Sequence, residues 1–589
     1  MNRQAVFHQS ARPFVLPLER NVLSFRLLAA KEDLRECRLY YWKRSEPYPD
    51  TRKEAVLKLR YSDADHDDFR VSMLFPEAVH YIKYYFQLTD VKGETCYFSE
   101  YGFAITPPER GFFEFMYAND HDVAKTPDWC KGIVYYEIFP ERFAIGNPDK
   151  TFHKYVPWGS EPSRENYLGG DLKGIQEKLG YLESLSVDCL YLTPVFKGDF
   201  NHKYATADYY RIDPGFGTNE ELALLVKEAH ERGIRVVLDG VFNHAGIHFP
   251  PFEDLLRNGE ASPYKDWFYV KSFPLAMEPP NYECVGDYPY MPKLRTSNPE
   301  VRDMVLDVMM YWIRVAGIDG WRLDVADEVD FSTWQYIRTR LKEVYPDLLL
   351  LGETWGDAGK LVGSGDQLDS AMNYLFRDAM VDFFARERIS EAEFDHRIQH
   401  MLMKYPDHIN DGMYNCLGSH DTARFLTEAG GDAKKMMLAA AFQMTFPGCP
   451  AIYYGDEVGM AGENDPGCRA GMVWDAKKQN QLLLDWHKKL TALRRLIPAL
   501  KKGSYRTCVC DSGKKLFGFV RSHKNQSVFI LFNRGSVPQS VSLPRGDVLD
   551  LITGEHPDFA EEPGTRQYTV PDHSVKIIQL TGGEEPCVP

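Results

Sequence analysis

The sequence predicts an α/β protein: a (β/α)8 TIM barrel with a subdomain inserted after its third strand, flanked by N-terminal and C-terminal β-sandwich domains. Three observations carry this. Short apolar runs alternate with amphipathic helical patterns through the middle of the chain, and both ends read as strands. Four of the middle segments close on charged or imidazole side chains: Asp239-Gly-Val-Phe-Asn-His244, Gly317-Ile-Asp-Gly-Trp-Arg-Leu-Asp324, Leu351-Gly-Glu353-Thr-Trp355 and Ser419-His-Asp421. In this barrel, side chains at the C-terminal strand ends converge on one face.

The first stretch, to about Tyr117, contains strand-like runs such as Cys37–Trp42 and Tyr81–Leu88, separated by turn residues at Ser45-Glu-Pro-Tyr-Pro and Val91-Lys-Gly. A β-sandwich over residues 1–121 is the simplest reading. Ala118–Pro127 reads as a linker. The catalytic barrel is expected over 122–502. One of its helices is announced by Thr218 and Glu221 as a capping box, by the apolar face Leu222, Leu225, Val226 and Ala229, and by Gly233 at its end. Another follows Asn298, with Pro299 in first position and Gly317 as its stop. The expected barrel strands are Ile133–Ile138, Cys189–Thr193, Arg235–Asp239, Gly320–Asp324, Leu348–Gly352, Met372–Phe376, Met413–Leu417 and Ala451–Tyr454. The connection from Ala245 to Met291, rich in Pro, Tyr and Phe, is too long for an ordinary loop. It reads as an inserted subdomain, about 245–297, walling one side of a cleft. Strand patterns return at Leu516–Arg521 and Ser527–Phe532 and imply a C-terminal sandwich over 503–589.

The 589 residues are too many for one core, and a net charge of -16 argues against nucleic acid as a partner while suiting a neutral ligand such as a sugar. No run is apolar enough for a membrane span, and the start of the chain lacks a signal-peptide pattern, so no membrane partner is expected. Eleven scattered cysteines read as free thiols of a cytoplasmic protein.

Cleaving a glycosidic bond takes two carboxyl groups flanking the anomeric carbon, held about 5–5.5 Å apart in retaining enzymes. Neighbouring barrel strands lie about 4.8 Å apart, so Asp324 and Glu353, ending the fourth and fifth strands, suit that spacing. Arg322, two residues before Asp324 on the same strand face, is expected to keep Asp324 ionised. Burial against Trp355 and the charge of Asp421 would raise Glu353. His244 and His420 can donate hydrogen bonds to sugar hydroxyls. A lone Asp closing a strand is ordinarily a cap, and that reading stays open for Asp239.

These four segments, in this order, resemble the signature regions of glycoside hydrolase family 13, the α-amylase family. The resemblance implies that Asp324 is the nucleophile, Glu353 the proton donor and Asp421 the transition-state stabiliser. Tyr290-Met-Pro-Lys-Leu294 is similar to a segment of the neopullulanase, cyclomaltodextrinase and maltogenic amylase subgroup. Gly132–Phe143 and Gly455–Gly459 match that subgroup's first and last barrel strands, and the extra N-terminal sandwich is typical of it. By the same resemblance Tyr204 stacks on the sugar, Glu328 contacts the leaving-group side, Asp465 and Arg469 grip the non-reducing end, and Trp355, Arg322, His244 and His420 bind substrate.

Members of the subgroup often hold calcium after the first strand. Asn147, Asp149, Gly170 and Asp171 are the candidate ligands here, but Ile145 and Lys150 stand where oxygens are expected, so no cofactor is expected to be required. Asp171 also reads as the N-cap of a helix over Leu172–Leu182. Ala205, Gly356 and Phe331 depart from the subgroup, the last two on the leaving-group side, which bears on acceptor preference. The implied function is a retaining α-glucan hydrolase acting on α-1,4, and to some extent α-1,6, bonds in cyclodextrins, maltooligosaccharides and pullulan. A homodimer is implied, its N-terminal module covering the partner's cleft. The rivals are a transglycosylase or α-1,6-preferring glucosidase of the same family, and a non-catalytic sugar-binding homologue.

Overall fold

The computed structural model describes residues 1–123, 126–557, 560–562 and 565–581. Parts of the expected linker, 124–125, and of the C-terminal domain, 558–559, 563–564 and 582–589, lie outside them. The chain forms two compact units: Met1–Lys125 with Ala358–Gln367 and Ala392–Asn410, and Thr126–Asp357 with Leu368–Glu391 and Asp411–Pro589.

In the first unit nine antiparallel strands pair from Val15–Glu19 to Phe113–Tyr117. Every second residue of Val22–Ala30 faces inward: Leu23, Phe25, Leu27 and Ala29 are fully buried against Leu39, Tyr84, Phe86 and Leu88. This period of two sets the register of the sandwich. Arg70 bridges Asp68 and Asp407, which ties 392–410 to this sheet.

The second unit contains the barrel. Its strands are Tyr135–Ile138, Cys189–Leu192, Arg235–Gly240, Gly320–Leu323, Leu349–Gly352, Ser370–Ala371, Tyr414–Cys416 and Cys449–Tyr453. All pair in parallel with their sequence neighbours, the first pairs with the last, and a bridge from Met372 to Tyr414 joins the sixth to the seventh. The fourth and fifth strands are buried along their whole length, as a sheet covered on both faces requires.

The predicted helix caps are present. Thr218 and Glu221 form the capping box of Asn219–Glu231, and Asn298 caps Pro299–Ala316, which ends on left-handed Gly317. Asp171 caps Leu172–Glu177, but the expected single helix breaks at Lys178 and resumes as Leu179–Ser184. The sixth strand is also corrected. It is Ser370–Ala371, two residues upstream of the apolar run, and Tyr374–Met380 is a helix with Asn373 as its cap. An apolar run buried in either conformation gives no period that tells the two apart.

The strands from Ser504–Asp511 to Ser574–Thr581 build a five-stranded sheet and a three-stranded sheet over one core that includes Val520, Leu531, Val570 and Ile578.

Candidate active site

Register places the key side chains. Gly240 pairs with Leu323 and Leu323 with Gly352, so Asp324 and Glu353, each one residue further on, leave adjacent strand ends at one level. Arg322, wholly buried between them, is the hub. Its Nη1 donates to Asp324 Oδ1 at 2.9 Å and to both oxygens of Asp239 at 3.0 Å. Its Nη2 lies 2.9 Å from Glu353 Oε2. Asp239 is neither a cap nor exposed: it is fully buried and also accepts from Tyr191 and Tyr204 hydroxyls.

One guanidinium thus serves three buried carboxylates, and it favours the ionised form of Asp324 by direct pairing. Burial raises the Asp324 carboxyl, Arg322 opposes that rise, and the nearby Glu353 and Asp239 charges add to it. Burial also raises Glu353 against Arg322, with the Asp421 charge adding to the rise. Glu353 Oε2 accepts the Val325 amide at 3.0 Å. Val325 holds that amide in place from a left-handed conformation, φ 45°.

Asp421 follows His420 at the end of the seventh strand. Burial opposes its ionisation, but His420 and Arg469 outweigh burial and hold its carboxyl low. The His420 ring is bracketed: Nδ1 lies 2.7 Å from Glu137 Oε1, and Nε2 lies 3.1 Å from Asp421 Oδ2 and 2.5 Å from the Tyr204 hydroxyl. Burial disfavours its charged form, yet Asp421 and Glu137 raise its pKa. Glu137 is fixed in turn by the Tyr414 hydroxyl at 2.9 Å.

Eight predicted residues line one cleft of about 470 Å3: Tyr204, His244, Asp324, Glu353, Trp355, Asp421, Asp465 and Arg469. Arg322 and His420 are buried beneath it. His244 is held at about 4, first by burial and then by Lys293, so it stays neutral. Neither of its ring nitrogens makes a hydrogen bond of ordinary geometry. Trp355 lies face to face on Tyr374, centroids 4.1 Å apart. Arg469 joins Asp421 to Asp465, each at 2.9 Å, and Arg164 meets Asp465 from the far side at 3.2 Å. The inserted segment supplies Val285, Gly286, Tyr288, Tyr290 and Met291 to the wall.

Glu328 stands apart from the cleft wall. Its Oε2 is taken by Lys293 at 2.8 Å and Asn243 at 3.1 Å. Of the candidate calcium ligands, Asn147 and Asp149 are exposed, and Asn147 Oδ1 accepts the Asp149 amide. Among the described residues no group of three or more His, Cys, Asp or Glu is arranged to hold a metal. Sequence reasoning missed Glu137 and Arg164. Glu137 lies within the first-strand motif, but its contact is 283 residues away.

A parallel eight-stranded barrel whose strand ends gather three carboxylates around one cleft defines a glycoside hydrolase. Residues 137–525 match the family described as "Alpha amylase, catalytic domain", and residues 1–119 match "Alpha amylase, N-terminal ig-like domain". The chain belongs to the α-amylase family, glycoside hydrolase family 13. It is 42% identical to a cyclomaltodextrinase of Geobacillus thermopakistaniensis (strain MAS1), over 98% of this chain and 100% of that one. It is also 42% identical to neopullulanase 2 of Thermoactinomyces vulgaris, over 94% and 95%. A solved cyclomaltodextrinase superposes with a TM-score of 0.93 at 36% identity, covering 98% of this chain and 100% of that chain.

Proposed function

We propose that the protein is a retaining hydrolase of cyclodextrins, maltooligosaccharides and pullulan, with Asp324 as nucleophile, Glu353 as acid and base, and Asp421 as stabiliser of the distorted sugar. One observation carries the role of Asp324. Its Oδ1 is fixed by Arg322, while Oδ2 is buried on the cleft wall without a hydrogen-bond partner. An unpaired buried carboxylate oxygen is costly, and a bond to an anomeric carbon would satisfy it. In Glu353, Oε2 accepts the Val325 amide and is paired with the Arg322 guanidinium, which leaves Oε1 to carry the proton.

The reaction runs in two displacements. Glu353 gives its proton to the glycosidic oxygen as that bond to C1 breaks, and Asp324 Oδ2 bonds to C1 as a β-glucosyl ester. Glu353, now ionised, takes a proton from water, the hydroxyl adds to C1, and Asp324 leaves with the product in the α configuration. Asp324 and Glu353 pair with the same guanidinium, and this closeness supports retention over inversion. Tyr204, His244 and Trp355 line the sugar path, and Arg469 and Asp465 continue it towards the non-reducing end.

The substrate range is supported by the names of the relatives, cyclomaltodextrinase, neopullulanase and maltogenic amylase. A homodimer belongs to the same reading, supported by large apolar side chains left exposed in the first unit, Leu74, Tyr101 and Ile105 among them. A cytoplasmic location is supported by the buried thiols of Cys37, Cys96, Cys130, Cys189, Cys416, Cys449 and Cys468, none of them in a disulfide.

The test is product analysis on β-cyclodextrin, pullulan and soluble starch in parallel, with Glu353→Gln as the blank and the product anomer read by NMR. Rapid cyclodextrin opening with an initial α anomer is expected. A β anomer would overturn retention, and faster cleavage of starch would overturn the substrate preference. Sedimentation at the monomer mass, unchanged at high concentration, would overturn the dimer.

A further inference from the structure

The loop after the first barrel strand turns a lysine into the protein. The Lys150 ammonium lies 2.8 Å from Asp171 Oδ2, 3.0 Å from the Gly215 carbonyl and 3.3 Å from the Gly170 carbonyl. The side chain is 5% exposed, and its ammonium lies 5.5 Å from the centre of the Tyr155 ring. Asp171 is otherwise committed to the backbone: Oδ1 accepts from Gly146 and Gly174, and Oδ2 from Asn147. The surroundings are tight. A Cβ on Gly170 would come within 2.1 Å of the Pro140 carbonyl, and one on Gly174 within 2.1 Å of the Ala144 carbonyl.

A carboxylate and two carbonyls are the donors that a hard cation chooses. Calcium needs six to eight oxygens at about 2.3–2.6 Å, however, and here three converge, on an ammonium, at hydrogen-bonding distances. The residues therefore do not fit calcium while Lys150 is in place. We propose that Lys150 is a built-in cation: its tethered ammonium crosslinks the 144–151 loop, the Asp171 cap and the 213–217 turn, and makes the fold independent of calcium.

The crosslink reaches the cleft through a second buried lysine. The Gly215 carbonyl is held by Lys150, and the Gly215 amide donates to Asp213 Oδ1 at 2.9 Å. Asp213 Oδ2 is 2.8 Å from the ammonium of Lys203, whose side chain is 1% exposed and which also donates to the Gly198 carbonyl. Lys203 sits between His202 and Tyr204, both on the cleft wall, in a left-handed turn with φ 62°. Lys150 is thereby a positioning residue for Tyr204, acting through the 213–217 turn.

The experiment compares the full-length wild type with Lys150→Ala and Lys150→Met. After dialysis against EDTA, the wild type is expected to keep its Tm and kcat/KM, with no gain from added CaCl2. Lys150→Met, matched in length but uncharged, loses several degrees in Tm and raises KM more than it lowers kcat. In Lys150→Ala the emptied cradle accepts an external cation, so CaCl2 or ethylammonium raises its Tm and leaves the wild type unmoved. A wild type that loses stability to EDTA and regains it with one equivalent of calcium would overturn the proposal. So would a Lys150→Met variant with unaltered Tm and KM. If the variants do not fold, the wild-type chelation arm still decides. Loss of the proposed substrate range would alter the KM reading only and leave the Tm arms intact.

Discussion

Arg322 holds Asp324 by one oxygen: Nη1 donates to Oδ1 at 2.9 Å, and Oδ2 stays buried and unpaired. The same guanidinium reaches Asp239 and Glu353, so its planar fork, more than its charge, organises the site. A lysine ammonium is a point charge and cannot span three carboxylates. Arg322→Lys is expected to fold with lowered Tm and to lose at least about 100-fold in kcat, about 2.7 kcal/mol of barrier. Calorimetry and kcat on a maltooligosaccharide check both. A kcat within a few-fold of wild type would show that charge alone suffices.

Glu137 and Asp421 together keep His420 protonated above its ordinary range, against burial. Stability from this arrangement is fully present below the unfolded histidine value and is lost as pH rises through the raised folded one. Glu137→Gln removes one of the two charges, so His420 gives up its proton at lower pH. The alkaline limb of kcat/KM is expected to move down in pH, and the Tm difference from wild type to be largest at acid pH. An alkaline limb that stays in place would mean that another group sets it.

His244 is a different case. It is held neutral at about 4, and its two ring nitrogens are buried without a hydrogen bond. An unsatisfied buried polar group costs roughly 1–3 kcal/mol. His244→Leu is therefore expected to keep or raise Tm while kcat/KM falls by roughly 10–100-fold, as one or two lost sugar hydrogen bonds would give. A fall in Tm would identify the ring as structural.

Much of this site was legible because the chemistry lies in local segments. Asp324 and Glu353 each end a continuous apolar run, and the Thr218 and Asn298 caps are local signals. The rest depends on long-range contact. Glu137 meets His420 across the barrel closure, and Arg164 meets Asp465 from a loop with no motif of its own. The sixth strand was misplaced because Met372–Phe376 is buried whether extended or helical. That Arg322 serves Asp239 and Glu353 as well as Asp324 is not visible from its own strand.

Glu328 pairs with Lys293 at 2.8 Å and its side chain is 48% exposed. Lys293 and the Asn243 amide outweigh burial and keep its carboxyl low. Partly exposed pairs contribute about 0–1 kcal/mol. Glu328→Gln is expected to change Tm little and kcat/KM for maltotriose hydrolysis by less than about three-fold. A larger fall in kcat/KM would support the leaving-group role that the sequence resemblance implies for Glu328.

Val325 is a β-branched residue at φ 45°, a conformation that such a side chain rarely adopts, and its amide donates to Glu353 Oε2 at 3.0 Å. Strain of this kind costs of the order of 1–3 kcal/mol and persists where the surroundings enforce it. Glycine adopts the conformation freely and keeps the amide, at an entropic cost of about 0.5–1 kcal/mol. The two effects leave Val325→Gly at equal or higher Tm. Because the amide still meets Oε2, kcat is expected to stay within a few-fold of wild type. A Val325→Gly variant that stays stable but loses kcat by 100-fold would show that the valine, by enforcing the turn, is what holds Glu353 in place. Thermal unfolding and kcat on one preparation separate the two.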